Sequence, residues 1–228
     1  MKAITDRSVL NFVEKSPWGR HLSVVELSKV LASVRGLVAE KGEHIVRAGT
    51  EAQCWVGLID GFAVQSMKSA DGQVTFLSGG GEGSWFGEGT LLKGDVWRYD
   101  AIALRRTKVA LIPIETFRWL RSGNLAFNHF LQDLMNERLR NFITMAFSDR
   151  TGTVEERVAE SILRLFDPRV FDRPSPFLRL SQTELGMLAG VSRQRANKAL
   201  TRLQERGLIR RERNGIEILD MEGLRGGA

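Results

Sequence analysis

The sequence predicts an α+β fold: an N-terminal antiparallel β-roll (a double-stranded β-helix, or jelly roll), then a long helix, then a C-terminal winged helix-turn-helix. Three observations predict it: short apolar runs separated by glycines, a long helical apolar seam, and two capped helices followed by a hairpin. They divide the 228 residues into two predicted domains, 1–147 and 148–228. Apolar residues near 5–33 are spaced for additional helices that pack on the β-roll.

The β-roll is predicted from about Gly36 to Pro113, where thirteen glycines separate short apolar or alternating runs. Asp60-Gly61 and Asp71-Gly72 are turn dipeptides eleven residues apart. Several short strands at such spacing are typical of an antiparallel sandwich or small barrel.

The long helix is predicted at about 115–147, because glycines become rare and apolar residues recur every three or four positions. A seam this wide can pack on the β-roll and on a second copy of itself, so we expect a homodimer. The polar stretch 148–152 is predicted as an interdomain hinge, and a helix is expected from about Thr153. The residues of the seam are Phe127, Leu131, Met135, Leu139, Phe142 and Ala146, broadened by Phe130, Leu134 and Ile143.

The helix-turn-helix is predicted from two successive helix starts. Ser181 and Glu184 have the spacing of a capping box, Gly190 supplies the turn, and Ser192 is a second N-cap. The second helix contains many side chains that donate hydrogen bonds to bases and phosphates. We therefore predict duplex DNA as a partner, bound by Ser192, Arg193, Gln194, Arg195, Asn197, Lys198 and Arg202.

A wing is predicted after this helix. Gly207 ends the helix, Leu208-Ile209 begins a strand, and Asn214-Gly215 is a strong two-residue hairpin signal. From Gly190 to Arg213 the chain has eight Lys or Arg and two acids, an excess equal to the net charge of +6 of the whole chain. The positive charge is thus concentrated where DNA would bind, and Arg195, Arg202, Arg210 and Arg211 are predicted to contact phosphates.

Composition excludes several classes of protein. The single cysteine, Cys54, cannot form an internal disulfide or a cysteine-built iron–sulfur cluster in one chain, and its apolar surroundings favour a buried structural thiol. No apolar run approaches the ~20 residues that span a membrane. The N-terminal residues lack the apolar core of a signal peptide, so we expect a cytoplasmic protein without a membrane partner.

The order β-roll, long helix, winged helix resembles the CRP/FNR family of bacterial transcription regulators. Two motifs support the resemblance. Gly87-Glu88 with Arg98 ten residues later is similar to the phosphate-binding cassette of cyclic-nucleotide-binding domains, and Ser192-Arg193 is similar to the start of the family's recognition helix. The resemblance implies a dimeric regulator, with a sensor domain and dimerisation helix over 1–147, that binds a pseudo-palindromic operator under the control of an effector.

The resemblance also implies where the effector binds. No cofactor is certain; cAMP or another cyclic nucleotide is the expected ligand, held by Gly87, Glu88, Gly89, Arg98, Tyr99, Asn141 and Thr144. Backbone N–H groups at glycines and an arginine fork suit a phosphodiester. However, Tyr99 stands where cAMP-binding members have Ser or Thr, and Asn141 and Thr144 match the family's base-contacting residues only loosely.

The family's recognition pattern, Arg-Glu with an Arg four residues after the Glu, corresponds to Arg193, Gln194 and Lys198. Arg193 is expected to read guanine, whereas Gln pairs best with adenine. We therefore predict a half-site that differs from the family's usual one at the base read by Gln194.

Three alternatives remain open. The same regulator could act without a nucleotide, with Glu88 and Arg98 forming an internal salt bridge, or it could sense another effector such as cyclic di-GMP. A remote alternative is a cupin-like enzyme, which would need clustered His and carboxylate ligands, and the three histidines form no His-x-His pair. RNA polymerase is a further candidate partner if the protein activates transcription.

Overall fold

The computed structural model describes residues 2–4, 6–166 and 177–226. These form two compact units, Met1–Asn136 and Glu137–Ala228. The predicted α+β class is confirmed, with antiparallel sheets in the first unit and a helix-turn-helix with a wing in the second.

The first unit contains two antiparallel sheets, with strand orders β1-β2-β9-β4-β7 and β3-β8-β5-β6. Their strands are β1 (Lys2–Ile4), β2 (Arg35–Ala39), β3 (His44–Val46), β4 (Cys54–Asp60), β5 (Phe62–Lys68), β6 (Val74–Gly81), β7 (Trp85–Phe86), β8 (Asp100–Ala103) and β9 (Thr107–Pro113). Both predicted turn dipeptides lie between strands, and each glycine has a positive φ that glycine adopts easily. Gly72 lies in the hairpin between the paired strands β5 and β6, whereas Gly61 joins β4 to β5, which belong to different sheets.

The helices of this unit are α1 (Arg7–Lys15), α2 (Val24–Ser33), α3 (Glu88–Lys93), α4 (Ile114–Gly123) and the first part of α5 (Leu125–Thr151). The short helix α3, in the middle of the β-roll, was not predicted. An aromatic cluster fills the core, where the ring centroids of Trp55 and Trp85 lie 4.4 Å apart and Trp18 packs against Phe127 at 5.6 Å. Phe127 anchors the start of α5 in this core, since it is almost fully buried.

The second unit contains the rest of α5, then α6 (Val154–Arg164), α7 (Gln182–Leu188), α8 (Arg193–Glu205) and α9 (Met221–Gly226). Its small antiparallel sheet has the order β10-β12-β11, made of β10 (Phe177–Leu178), β11 (Ile209–Glu212) and β12 (Gly215–Ile218). Its core is aliphatic and includes Val158, Ile162, Leu185, Leu200 and Leu203, all nearly or fully buried.

Most of the stretch predicted as an interdomain hinge, residues 148–151, is helical, and the break in secondary structure begins only at its last residue, Gly152. Helix α5 continues to Thr151, whose hydroxyl donates to the carbonyl of Phe147 at 2.9 Å, as side chains of helical threonines often do. Only Gly152 and Thr153 then precede α6, because Thr153 and Glu156 form a capping box that starts the next helix at once. The predicted end of α6 at Asp167-Pro168 lies outside the described residues.

The predicted hairpin at the wing is confirmed, but its turn is shifted by one residue. Glu212 is paired with Gly215, so the two turn residues are Arg213 and Asn214 rather than Asn214 and Gly215. Neither adopts a positive φ. Gly215 therefore lies within β12, where the close approach of Leu178 and Phe177 of β10 leaves no room for a Cβ.

Candidate nucleic-acid interface and effector site

The helix-turn-helix is built by local capping. The backbone N–H of Ser181 donates to Oε2 of Glu184 at 2.6 Å, and the N–H of Glu184 donates back to Oγ of Ser181 at 3.2 Å. These bonds satisfy two N–H groups that a helix start leaves without partners. Gly190 then reverses the chain at φ +62°, so α8 begins only a few residues after α7 ends.

Helix α8 separates its residues into two faces. Ala196, Ala199, Leu200 and Leu203 are buried in the core of the unit. The opposite face is exposed, and its residues are Arg193, Gln194, Arg195, Lys198 and Arg202. Ser192 fulfils its predicted N-cap role, because its Oγ accepts the N–H of Arg195 at 3.3 Å. The predicted base-contacting side chains Arg193, Gln194 and Lys198 thus lie on one accessible, cationic surface.

Asn197 and Arg211 form a connection between α8 and the wing. Nη2 of Arg211 donates to Oδ1 of Asn197 at 2.8 Å, and Nη1 donates to the hydroxyl of Thr201 at 3.1 Å. Both side chains are half-buried. Arg211 was expected to contact phosphate, but its guanidinium is held against the recognition helix.

A second connection holds the far end of α8 to α6. Oε1 of Glu155 accepts from Nη1 of Arg206 at 2.9 Å, and its Oε2 lies 3.8 Å from Nη1 of Arg202. Glu155 is mostly buried while the arginines are more exposed. On the wing, Arg210 pairs with Glu217 of β12 at 2.9 Å and remains largely accessible.

The predicted phosphate cassette surrounds the start of α3. Gly87 is the N-cap of this helix and has φ +101°. The indole of Trp97 covers it so closely that a Cβ at Gly87 would lie 2.5 Å from Cη2 of the ring. Trp97 is buried and contacts the rings of Phe86 and Tyr99, at centroid distances of 6.2 and 5.6 Å. The cassette glycine is therefore packed beneath an aromatic side chain.

The two charged residues of the cassette have different surroundings. Glu88 is only 3% exposed, and its Oε2 accepts from Nε1 of Trp55 at 3.3 Å. Arg98 is 72% exposed and donates from Nη2 and Nε to Oδ2 of Asp95, at 2.8 and 3.2 Å. Arg98 therefore does form an internal salt bridge, but with Asp95 and not with Glu88 as the alternative predicted.

Asp95 is a competitor for any anion at Arg98. The hydrogen bond from Arg98, and after it the backbone N–H of Val96, hold the pKa of Asp95 below its usual range. The carboxylate is therefore ionised at neutral pH and engages the fork of the guanidinium that a phosphate would use. A phosphate that binds the Nε–Nη2 edge of Arg98 must displace this carboxylate.

Asn141 and Thr144 line a cavity of about 710 Å³ formed by α5, α6 and α9, and none of the cassette residues lines it. The hydroxyl of Thr144 donates to the carbonyl of Arg140 at 3.1 Å. The cavity wall also includes Glu160 and Arg164 of α6. Burial raises the pKa of Glu160 and lowers that of Arg164.

The remaining reactive side chains are not clustered. Burial raises the pKa of the Cys54 thiol to about 11, so it is protonated at neutral pH, as expected of a structural thiol. His129 is exposed on α5. The described residues contain no cluster of His, Cys, Asp or Glu suited to a metal ion. None of the helices in the described part of the chain combines the length and apolar character needed to cross a bilayer.

Sequence reasoning missed three residues that shape these sites, Asp95, Trp97 and Glu155. It predicted Arg211 as a phosphate contact and missed its bond to Asn197. Only the Asp95–Arg98 pair has a local signal, namely an acid three positions before the arginine. Glu155 and Arg206 are 51 positions apart, and Asn197 and Arg211 are 14 apart, so no periodicity connects them.

Comparison with known proteins agrees with this architecture. Residues 37–124 match the cyclic nucleotide-binding domain family, and residues 156–226 match the Crp-like helix-turn-helix domain family. The cAMP-activated global transcriptional regulator CRP of Haemophilus influenzae is 26% identical over 172 residues, which are 72% of this chain and 75% of that protein.

Solved structures share the fold. FixK2 from Bradyrhizobium japonicum aligns with a TM-score of 0.70 and 19% identity, over 84% of this chain and 96% of that one. The c-di-GMP responsive global regulator CLP of Xanthomonas campestris aligns with a TM-score of 0.58 and 22% identity, over 86% of this chain and 99% of that one.

A β-roll of the cyclic-nucleotide-binding type, followed by a long helix and a basic winged helix-turn-helix, defines an effector-controlled DNA-binding regulator. The chain belongs to the CRP/FNR family of transcription regulators.

Proposed function

We propose that the protein binds a pseudo-palindromic DNA operator as a homodimer and reads each half-site in the major groove with Arg193, Gln194 and Lys198. The observation that carries this proposal is the two-faced character of α8: its apolar face is buried, and its cationic face is exposed. In a helix-turn-helix, the second helix lies in the major groove with its N-terminal residues on base edges. The matches to an effector-binding domain family and a DNA-binding domain family support a regulatory role.

Binding-site selection from random duplexes tests this proposal. Arg193 offers a bidentate donor pair to guanine, whereas Gln194 suits adenine better than cytosine. The expected half-site therefore differs from the family's usual one at the base read by Gln194, and Gln194→Glu should shift the preference there towards cytosine. Selection of the usual half-site by the parent protein would contradict the assignment of Gln194.

Salt dependence tests the phosphate contacts. Arg195→Ala should weaken binding to all sequences alike and flatten the slope of log K against log salt by about one unit. Arg118→Ala is the matched control, because Arg118 lies on α4 and pairs with Glu115 at 3.3 Å. Binding that is indifferent to salt would contradict the interface itself.

The proposed effector is a cyclic nucleotide whose phosphodiester binds Arg98, with Gly87, Glu88, Gly89 and Tyr99 around it. The exposed guanidinium supports this, and the Asp95 carboxylate opposes it, so we expect weak binding that strengthens when Asp95 is neutralised. Effector binding would act by shifting the population of DNA-binding states, to an extent set by its different affinities for those states.

Thermal unfolding in cAMP, cGMP and cyclic di-GMP tests the effector. At a ligand concentration near 100 times Kd, stabilisation should be about 2.7 kcal/mol, a shift of roughly 5–10 °C for a chain of this size. Arg98→Ala should abolish the shift. Asp95→Asn should reach the same shift at lower nucleotide concentration.

The second candidate is a regulator that needs no cyclic mononucleotide. The observations that favour it are the Asp95–Arg98 pair and the indole of Trp97 over Gly87. A rise in melting temperature with cyclic di-GMP alone would identify that dinucleotide as the effector, as in the c-di-GMP responsive regulator CLP. No shift with any nucleotide, in the parent or in Asp95→Asn, would make Arg98 a structural residue.

A further inference from the structure

The wing strand β11 is fastened to one stripe of the recognition helix. Asn197, Thr201 and Gln204 are spaced four and three apart on α8, so they lie on one face. Arg211 contacts all three: its guanidinium donates to Asn197 and Thr201, and its backbone N–H donates to Oε1 of Gln204 at 3.1 Å. Since β11 is the edge strand of its sheet, this N–H has no partner strand and Gln204 satisfies it.

The contact at Asn197 determines which way its amide faces. A guanidinium has only donors, so the atom of Asn197 that faces Arg211 must be the acceptor Oδ1. The 2.8 Å bond therefore directs Nδ2, with its two N–H donors, away from the guanidinium. The hydroxyl of Thr201 donates its proton to the backbone carbonyl of Asn197 at 3.1 Å. That proton is therefore not available to the side-chain amide of Asn197, and only Arg211 fixes the orientation of the amide.

The orientation matters for base recognition. An asparagine that reads adenine must present Oδ1 and Nδ2 together to the base edge, to accept from N6 and donate to N7. An amide whose Oδ1 already accepts from a guanidinium keeps one lone pair, but the cation polarises the group, so its N–H groups become stronger donors and its oxygen a weaker acceptor. Its partners on DNA are acceptors: O6 or N7 of guanine, O4 of thymine, or a phosphate oxygen.

We propose that Arg211 is a positioning residue which fixes the Asn197 amide with its donor outward, so that Asn197 contacts an acceptor on DNA instead of reading adenine. This inference rests on the proposed DNA-binding function for its consequence, but the fixed amide is a property of the free protein. It also assigns Arg211 a role other than phosphate binding, unlike the exposed cations of α8.

The first test needs no DNA. The ¹⁵N order parameter of the Asn197 side-chain amide, assigned by comparison with Asn197→Ala, is measured in the full-length parent and variants. We expect a rigid amide in the parent and a mobile one in Arg211→Ala. Arg211→Lys should not restore rigidity, because a lysine has no fork to bridge two acceptors. Arg210→Ala, on the same strand but paired with Glu217, should leave the amide unchanged.

The second test is binding-site selection with the same variants. Arg211→Ala should increase the frequency of adenine at the base facing Asn197 by about fivefold, the value of one hydrogen bond. Adding Asn197→Ala should remove this effect, since the arginine acts through the asparagine. The salt slope of Arg211→Ala should match the parent's, in contrast to Arg195→Ala.

Two results would overturn the proposal. An equally rigid amide in Arg211→Ala would show that Arg211 does not position it. A slope flattened by about one unit, rescued by Arg211→Lys and without a change in base preference, would make Arg211 a phosphate contact. If the parent binds no duplex, the proposed function fails, while the order parameter still decides whether Arg211 positions Asn197.

Discussion

At the scale of single residues, Gly215 shows how the same residue can be required for a reason other than the expected one. The Asn-Gly pair suggested a turn glycine, yet Gly215 lies in β12 with an ordinary backbone conformation. A Cβ there would collide with the carbonyl oxygen of Leu178 and lie 2.7 Å from Cζ of Phe177. Gly215 thus allows the short strand β10 to approach β12 closely.

Gly215→Ala should destabilise the second unit by about 2 kcal/mol, because β10 has to move away or β12 has to distort. The measurement is urea unfolding of the full chain, followed by circular dichroism. Gly226→Ala is the control, since a Cβ at Gly226 meets no atom within 4 Å. An equal effect of the two substitutions would argue against the close approach.

Sequence reasoning worked for residues whose role is local. The capping pair Ser181–Glu184 and the N-cap Ser192 were predicted from spacing alone, because their partners lie three residues away. The surroundings of Gly87 depend instead on where Trp97 packs in the β-roll. The family pattern identifies Gly87, Glu88 and Arg98 as a set but contains no information on an aromatic ring that covers the glycine.

At the scale of elements, α5 was predicted as a single seam, and the structure divides it. Phe127, Leu131 and Leu134 are buried, whereas Leu139 and Ile143 are 59% and 62% exposed. Periodicity shows that a helix has an apolar face but not what covers it. The end of the helix was misjudged for a similar reason: serine, aspartate and threonine favour turns, yet Thr151 is accommodated by bonding back to Phe147.

Helix α6 contains the one glutamate whose pKa burial raises, Glu160, among those resolved in the described part of the chain. Since the folded pKa exceeds the unfolded one, Glu160 favours folding when protonated, and this contribution is lost as the pH rises through the folded pKa. At neutral pH the ionised carboxylate therefore opposes folding, although nearby Arg164 and Arg140 reduce the effect.

Glu160→Gln should raise the melting temperature at pH 7, and the difference from the parent should shrink as the pH falls below about 4, where free glutamate is protonated. Glu205→Gln, at an exposed position on α8, should show no such pH-dependent gain. A loss of stability in Glu160→Gln at pH 7 would mean that attraction to Arg164 outweighs the cost of burial. Thermal unfolding across pH 3–8 separates these outcomes.

At the scale of the whole molecule, the order of the elements was predictable because each element has its own sequence signal. Frequent glycines indicate the turns of the β-roll, apolar residues every three or four positions indicate α5, and N-capping residues indicate the helix-turn-helix. The state of association depends on surfaces that a second chain could cover. Helix α5 has such a surface, formed by the exposed apolar residues Met135, Leu139, Phe142, Ile143 and Phe147.

This exposed part of the seam is the surface we expect a second α5 to cover. Full burial of a large apolar side chain contributes about 1.5–3 kcal/mol. Covering these partly exposed side chains on both helices therefore favours pairing, in opposition to the free-energy cost of association. A two-fold dimer would also present two α8 helices to half-sites about one helical turn apart. Dimerisation and operator symmetry should therefore depend on the same residues.

Leu139→Glu should raise the dimer dissociation constant by about 100-fold or more, or about 2.7 kcal/mol, because a carboxylate would enter an apolar contact. Sedimentation equilibrium would then find the chain mass of 25.6 kDa where the parent gives twice that mass. Val24→Glu is the matched control: Val24 is 85% exposed on α2 and lies outside the seam, so this variant should remain dimeric. A Leu139→Glu protein that stays dimeric would place the interface away from α5.

DNA binding by the same variant tests the purpose of the dimer. Leu139→Glu should lose binding to the full operator together with the dimer, but should still bind a half-site at low salt. This result would show that the seam brings two intact recognition helices together on DNA.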